Sequence, residues 1–185
     1  MDYEQIYIKQ FNVQYIFKFI KFIYNMKADK EIIKYYQYFW KSEHSFLFML
    51  LKLFYLLFLS GFHKIGKILL GRYMVIFIVY DEDRVIGLAH MEFNSSQRYL
   101  NGLLGIVLNR DVFGTGIGKR LMQVCIGYCI ENSKRKIELS VFKDNVRAIS
   151  FYKKIGFIMN NTTNLKDSIY NMELDLLNFS MQSLV

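Results

Sequence analysis

Leu108-Asn109-Arg110-Asp111-Val112-Phe113-Gly114-Thr115-Gly116-Ile117-Gly118 is the stretch of this 185-residue chain on which its fold turns. It starts at the end of an apolar run, Leu100 to Leu108, predicted as a strand. It ends where an amphipathic helix is predicted from about Lys119 to Asn132, with Leu121, Cys125, Tyr128 and Cys129 facing inward. The placement matters more than the glycines themselves. A helix N-terminus offers unpaired N–H groups and a partial positive charge, both suited to a phosphate or diphosphate. Glycines let the backbone approach such an anion and adopt a positive φ where a side chain would clash.

Two common phosphate loops do not fit these residues. The dinucleotide loop needs G-x-G-x-x-G, whereas Gly114, Gly116 and Gly118 give G-x-G-x-G. The nucleoside-triphosphate loop needs Gly-Lys followed by Ser or Thr, and here Gly118-Lys119 is followed by Arg120. Further along, the strand predicted over Ile137–Phe142 leads into Asn145-Val146-Arg147-Ala148-Ile149-Ser150-Phe151-Tyr152-Lys153-Lys154-Ile155-Gly156-Phe157. Val146 to Lys154 is predicted as a helix, with Gly156 as its stop.

Taken together, the two stretches resemble the GNAT superfamily of N-acetyltransferases. Its hallmark is a strand, the loop Q/R-x-x-G-x-G/A and a helix, followed later by Asn, Ala, a Phe/Tyr-Tyr pair and Gly-Phe. The resemblance runs from Gln5 to Leu174 in element order, and its specific motifs lie between Gly105 and Phe157. It implies an α/β fold: a central mixed, mostly antiparallel sheet with helices on both faces, and a cofactor cleft where two neighbouring parallel strands, around Leu103–Leu108 and Ile137–Phe142, splay apart. It also implies acetyl-CoA as co-substrate with no metal, and acetyl transfer to a primary amine of an acceptor, either a small molecule or a protein.

The cofactor-binding residues it implies are Ile106, Leu108, Phe113, Gly114, Thr115, Gly116, Ile117, Gly118, Lys119, Asn145 and Tyr152. Lys119 and Arg120 stand equally open to neutralising phosphate or facing solvent, and Asn145 to capping a helix or meeting the pantetheine arm. The catalytic roles fall to Tyr152 as general acid, to the backbone N–H of Leu108 as donor to the thioester oxygen, and to a carboxylate as base. Relatives carry that carboxylate on the strand before the loop, where Leu100 to Gly105 has none. Glu92 and His90, alternate residues of the previous strand, are the next candidates. Phe113 is a second departure, since it stands where the family has Gln or Arg. These departures favour a rival reading, a catalytically idle acyl-CoA-binding module.

The rest of the chain is consistent with one domain. Gln5 to Gln10 alternates like a half-buried strand. Val13, Ile16, Phe17, Ile20 and Ile23 recur at helical spacing after Asn12, and Asp29 is a cap for a helix carrying Ile32, Ile33, Tyr36 and Phe39. Tyr73–Tyr80, a continuous β-branched and aromatic run, and Arg84–Phe93, which alternates, flank an acidic turn as a hairpin, and Ile169–Leu174 is a last strand. Cys125 and Cys129 read as core. The net charge of +8 favours anionic partners, but no basic stripe interleaved with aromatics suggests nucleic acid. Met1-Asp2-Tyr3-Glu4 lacks a signal-peptide opening, so the cytoplasm is the expected location.

Phe46 to Leu59 is apolar or aromatic at every position except Lys52. A spanning helix needs about 20 apolar residues, and a mid-helix Lys costs roughly 2.5–3.5 kcal/mol. Two placements remain open: a helix buried against the sheet or in a homodimer, and an interfacial helix touching a membrane or a greasy acceptor. Lys41, Lys64, Lys67 and Arg72 suit anionic headgroups in the second case. A membrane-associated acyltransferase using longer acyl chains is the corresponding functional alternative.

Overall fold

The β-branched and aromatic runs form one seven-stranded sheet in a computed structural model, which describes residues 6–26, 29–35, 72–82, 84–94, 101–160 and 168–179. In spatial order the strands are β1 (Ile6–Gln10), β2 (Arg72–Asp81), β3 (Arg84–Asn94), β4 (Asn101–Leu108), β5 (Lys136–Phe142), β7 (Ile169–Asp175) and β6 (Ile158–Met159). Every neighbouring pair is antiparallel except β4 and β5. The sheet is therefore mixed and mostly antiparallel, as expected.

Helices cover both faces. On one lie α1 (Ile16–Met26), entered through a 3-10 turn at Val13–Tyr15, and α2 (Lys30–Tyr35). Apolar residues at helical spacing make α1 amphipathic, and it buries Phe19, Phe22, Ile23 and Met26 against Met74, Ile76, Ile78, Leu88 and Val107. On the other face lie α3 (Ile117–Glu131) and α4 (Val146–Ile155). Leu121, Met122, Cys125, Ile126 and Cys129 of α3 meet Met91, Phe93, Leu104, Ile137, Leu139 and Val141. The two cysteines are free and buried, so the core reading of that pair holds.

Two details depart from the sequence expectation. β3 does not alternate, because Val85 to Met91 are all buried under helices on both faces. β6 was not foreseen, since two residues are too short for a periodic pattern. Gly156 ends α4 as expected, at φ 110°, and its N–H donates to the Lys153 carbonyl at 3.0 Å. The apolar segment Phe46–Leu59 and its basic neighbours Lys41, Lys64 and Lys67 lie outside the described residues. Among the described residues no helix is long and apolar enough to cross a membrane.

Candidate acyl-CoA site

The site begins with a break in the sheet. β4 and β5 pair only through Asn101↔Lys136, Gly102↔Ile137 and Leu103↔Glu138, although β4 runs on to Leu108 and β5 to Phe142. The two strands therefore splay, where the sequence led us to expect it. The Asn109 N–H donates to the Ile86 carbonyl at 2.8 Å, which fixes the hydrogen-bond alternation between β3 and β4. Odd-numbered residues of β4 bond to β3; Leu104, Ile106 and Leu108 turn their N–H and C=O groups toward the gap.

A cavity of about 370 Å³ fills this split. Its wall includes Leu104 to Leu108 of β4, Ser140 to Phe142 of β5, and Phe113, Gly114, Gly116, Gly118 and Lys119 of the loop and α3. Asn145, Arg147, Ala148, Phe151 and Tyr152 of α4 close it, and Ile32 of α2 reaches it from the opposite face of the sheet. Gly114 and Gly116 take φ of 78° and 85°, and a Cβ on either would meet nothing within 4 Å. Gly116 is the N-cap of α3, so the first N–H groups of that helix lack intrahelical acceptors at the cavity's edge. Thr115 and Ile117 are not on the wall. The Thr115 hydroxyl donates to the Val112 carbonyl at 2.7 Å, and the Ile117 side chain is core.

The cations separate by role. Arg120 donates to the Ile6 carbonyl at 3.1 Å and so braces β1, whereas Lys119 lines the cavity. Arg110 grips Asp29 through two bonds, of 2.6 and 2.8 Å, and Lys34 pairs with Asp144. Together these contacts tie both ends of α2 to the loops after β4 and β5. Asn145 caps α4, its Oδ1 accepting from the Ala148 N–H at 3.2 Å, which leaves its Nδ2 for other partners.

Tyr152 lines the cavity, its ring packed against those of Phe151 and Phe157. Burial pushes its phenol up to about 12, with a smaller contribution from Cys125, so it stays protonated at neutral pH.

His90 and Glu92 share the α1 face, with Nε2 and Oε1 4.0 Å apart, but neither reaches the cavity wall. His90 is buried against Gly105, which is on the wall; a Cβ on Gly105 would stand 2.2 Å from His90 Cε1. Sequence reasoning missed two residues. Glu138 sits at the last paired rung before the split and accepts from Asn101 Nδ2 at 3.0 Å. Alternation in β5 already carried that signal, because inward Ile137, Leu139 and Val141 put Glu138 on the other face. The second, Arg147, lies two residues after Asn145 with its guanidinium over the Phe113 ring. No pattern within the sequence pairs those two.

Among solved structures, the fold is similar to a spermidine N-acetyltransferase from Vibrio cholerae in complex with CoA and spermine, at TM-score 0.67 and 16% identity over 94% of this chain and 96% of that one. It is similar to the PaiA N-acetyltransferase from Thermoplasma acidophilum in complex with coenzyme A, at TM-score 0.64 and 15% identity over 92% and 98%. It is also similar to a probable acetyltransferase from Staphylococcus epidermidis, at TM-score 0.68 and 15% identity over 92% and 98%. The profile described as the acetyltransferase (GNAT) family matches residues 30–157, more than half of the sequence. With its split parallel pair, its glycine loop and this match, the chain belongs to the acetyltransferase (GNAT) family.

Proposed function

We propose that this protein transfers the acetyl group of acetyl-CoA to a primary amine. The observation that carries the reading is the β4–β5 split opening beside a glycine loop at the N-terminus of α3. A diphosphate suits the backbone N–H groups from Gly114 to Lys119. The pantetheine arm, itself an amide chain, suits the β4 edge at Ile106 and Leu108 together with Asn145.

In the reaction the amine nitrogen bonds to the thioester carbon, the C–S bond breaks, and one proton moves from nitrogen to sulfur overall. The Leu108 N–H is assigned to the carbonyl oxygen as it gains charge. Tyr152 is assigned to the departing sulfur. A free thiol titrates near ~8.5, so full transfer from a phenol at about 12 is uphill by roughly 5 kcal/mol in the ordinary balance. Desolvation in the cavity raises the thiolate's basicity too. Hydrogen-bond donation to sulfur is thus the first contribution of Tyr152, and transfer follows as the sulfur is desolvated. The amine's proton is assigned to Glu92, with His90 or a water as relay, because His90 stands between Glu92 and the Gly105 edge of the split. Glu92 and Glu138, on the α1 face, set a negative field for a cationic amine approaching from that side. Two of the structural neighbours were solved with CoA, one of them with spermine as well.

Calorimetric titration with acetyl-CoA, run beside Gly116→Asp, tests the assignment. Binding by the parent and loss in a folded variant is the expected result; a folded parent that ignores acetyl-CoA refutes it. One observation favours a second reading, an idle acyl-CoA-binding module: neither His90 nor Glu92 lies on the cavity wall. Turnover of acetyl-CoA with any member of an amine panel excludes it.

A further inference from the structure

Arg147 differs from the other arginines around the loop. Arg110 is spent on Asp29 and Arg120 on a carbonyl of β1, but no carboxylate among the described residues pairs with Arg147. Its Cζ lies 3.7 Å from the centroid of the Phe113 ring, on the residue that leads into Gly114. Both side chains line the cavity, beside Lys119. A guanidinium resting on an aromatic face uses only its own face and leaves its edge N–H donors open. That edge is a planar fork whose spacing matches two oxygens of one phosphate. The ring also limits where the fork can go, since a long exposed side chain otherwise samples many rotamers.

We propose that Arg147, held by Phe113, binds a phosphate group of the acyl-CoA. The phosphate site would then be shared between two helices, with backbone groups from the start of α3 and a side-chain fork from α4. Phe113 is the positioning residue, a role that its lack of polar atoms hides in the sequence. The inference rests on the acyl-CoA reading above.

The test is calorimetric titration of the full chain with CoA and with dephospho-CoA, for the parent, Arg147→Ala, Phe113→Leu and the double variant, at low and high salt. Arg147→Ala should bind CoA on the order of 10–100-fold more weakly, with unchanged melting temperature. Its affinity should also depend less on salt than the parent's, because one phosphate contact has gone. Phe113→Leu should weaken CoA by less, and the double variant should be no weaker than Arg147→Ala alone, because Phe113 acts through the arginine. If the Arg147→Ala penalty vanishes with dephospho-CoA, the fork reads the 3′-phosphate; if it persists, the fork reads the diphosphate. Arg147→Ala binding CoA within twofold of the parent, or losing affinity with an unaltered salt dependence, would overturn the inference while leaving the acyl-CoA reading intact. A parent that binds neither ligand removes that reading, and this inference with it.

Discussion

Gly105→Ala puts a methyl group into the space of the His90 ring. The new Cβ would lie 2.2 Å from His90 Cε1 and 2.9 Å from both ring nitrogens. His90 is only 4% exposed, so the ring has little room to swing away. Overpacking of this kind costs about 1–3 kcal/mol. Replacing glycine by alanine also narrows the unfolded ensemble, which offsets about 0.4–1 kcal/mol. The net loss is then at most about 2.6 kcal/mol, a fall in Tm of up to about 10 °C for a chain of this length. Gly116→Ala is the contrast, since its Cβ meets nothing within 4 Å and its cost is confined to the left-handed φ of 85°. The decisive assay is a double-mutant cycle with His90→Ala, followed by thermal or urea unfolding. Removing the ring removes the clash, so Gly105→Ala should cost at least about 1 kcal/mol less in the His90→Ala background than in the parent. Additivity within about 0.5 kcal/mol would refute the packing argument, and with it the claim that His90 is wedged at the edge of the split.

Tyr152→Phe should lower kcat on the order of 100-fold or more with KM little changed, measured as CoA release with a reactive amine; an unaltered kcat would remove Tyr152 from the chemistry. Asn145→Ala should destabilise by about 1 kcal/mol through loss of the α4 cap. Asn145→Asp keeps that cap, so a variant of parental stability with weakened CoA binding would show that Nδ2 meets the ligand. Burial raises the Tyr152 and Tyr128 phenols to about 12 from 10.0, so the folded state prefers both protonated. Their stabilisation is whole below about pH 10 and is lost as pH rises from 10 to 12, with the Cys129 thiol, also pushed up to about 12, adding to the fall from pH 9. Urea midpoints should drop through that window and less steeply in Tyr152→Phe; parallel curves would contradict the burial of its hydroxyl.

Much of the fold was legible in the chain because local rules decided it. The glycine loop between an apolar strand and an amphipathic helix, Asn145 ahead of α4 and Gly156 behind it each declare a backbone requirement that neighbours in sequence meet. The two motifs together announced the sheet, its parallel pair and the place of the split. Burial on both faces of β3 was not legible, because alternation reports cover on one face only and α1 and α3 arrive from distant parts of the chain. The fates of the loop-end cations depended on through-space partners. Arg120 turned to Ile6, more than a hundred residues away, and Arg147 settled on Phe113 across the mouth of the cavity. Glu92 looked like a base by strand parity, yet only the packed sheet put buried His90 between it and the gap. What the sequence determined by itself was the elements and their caps, since these answer to hydrogen bonds and periodicities a few residues long. What only the tertiary structure decided was which charges face the cavity, since that follows from which partner each long side chain finds first across the fold.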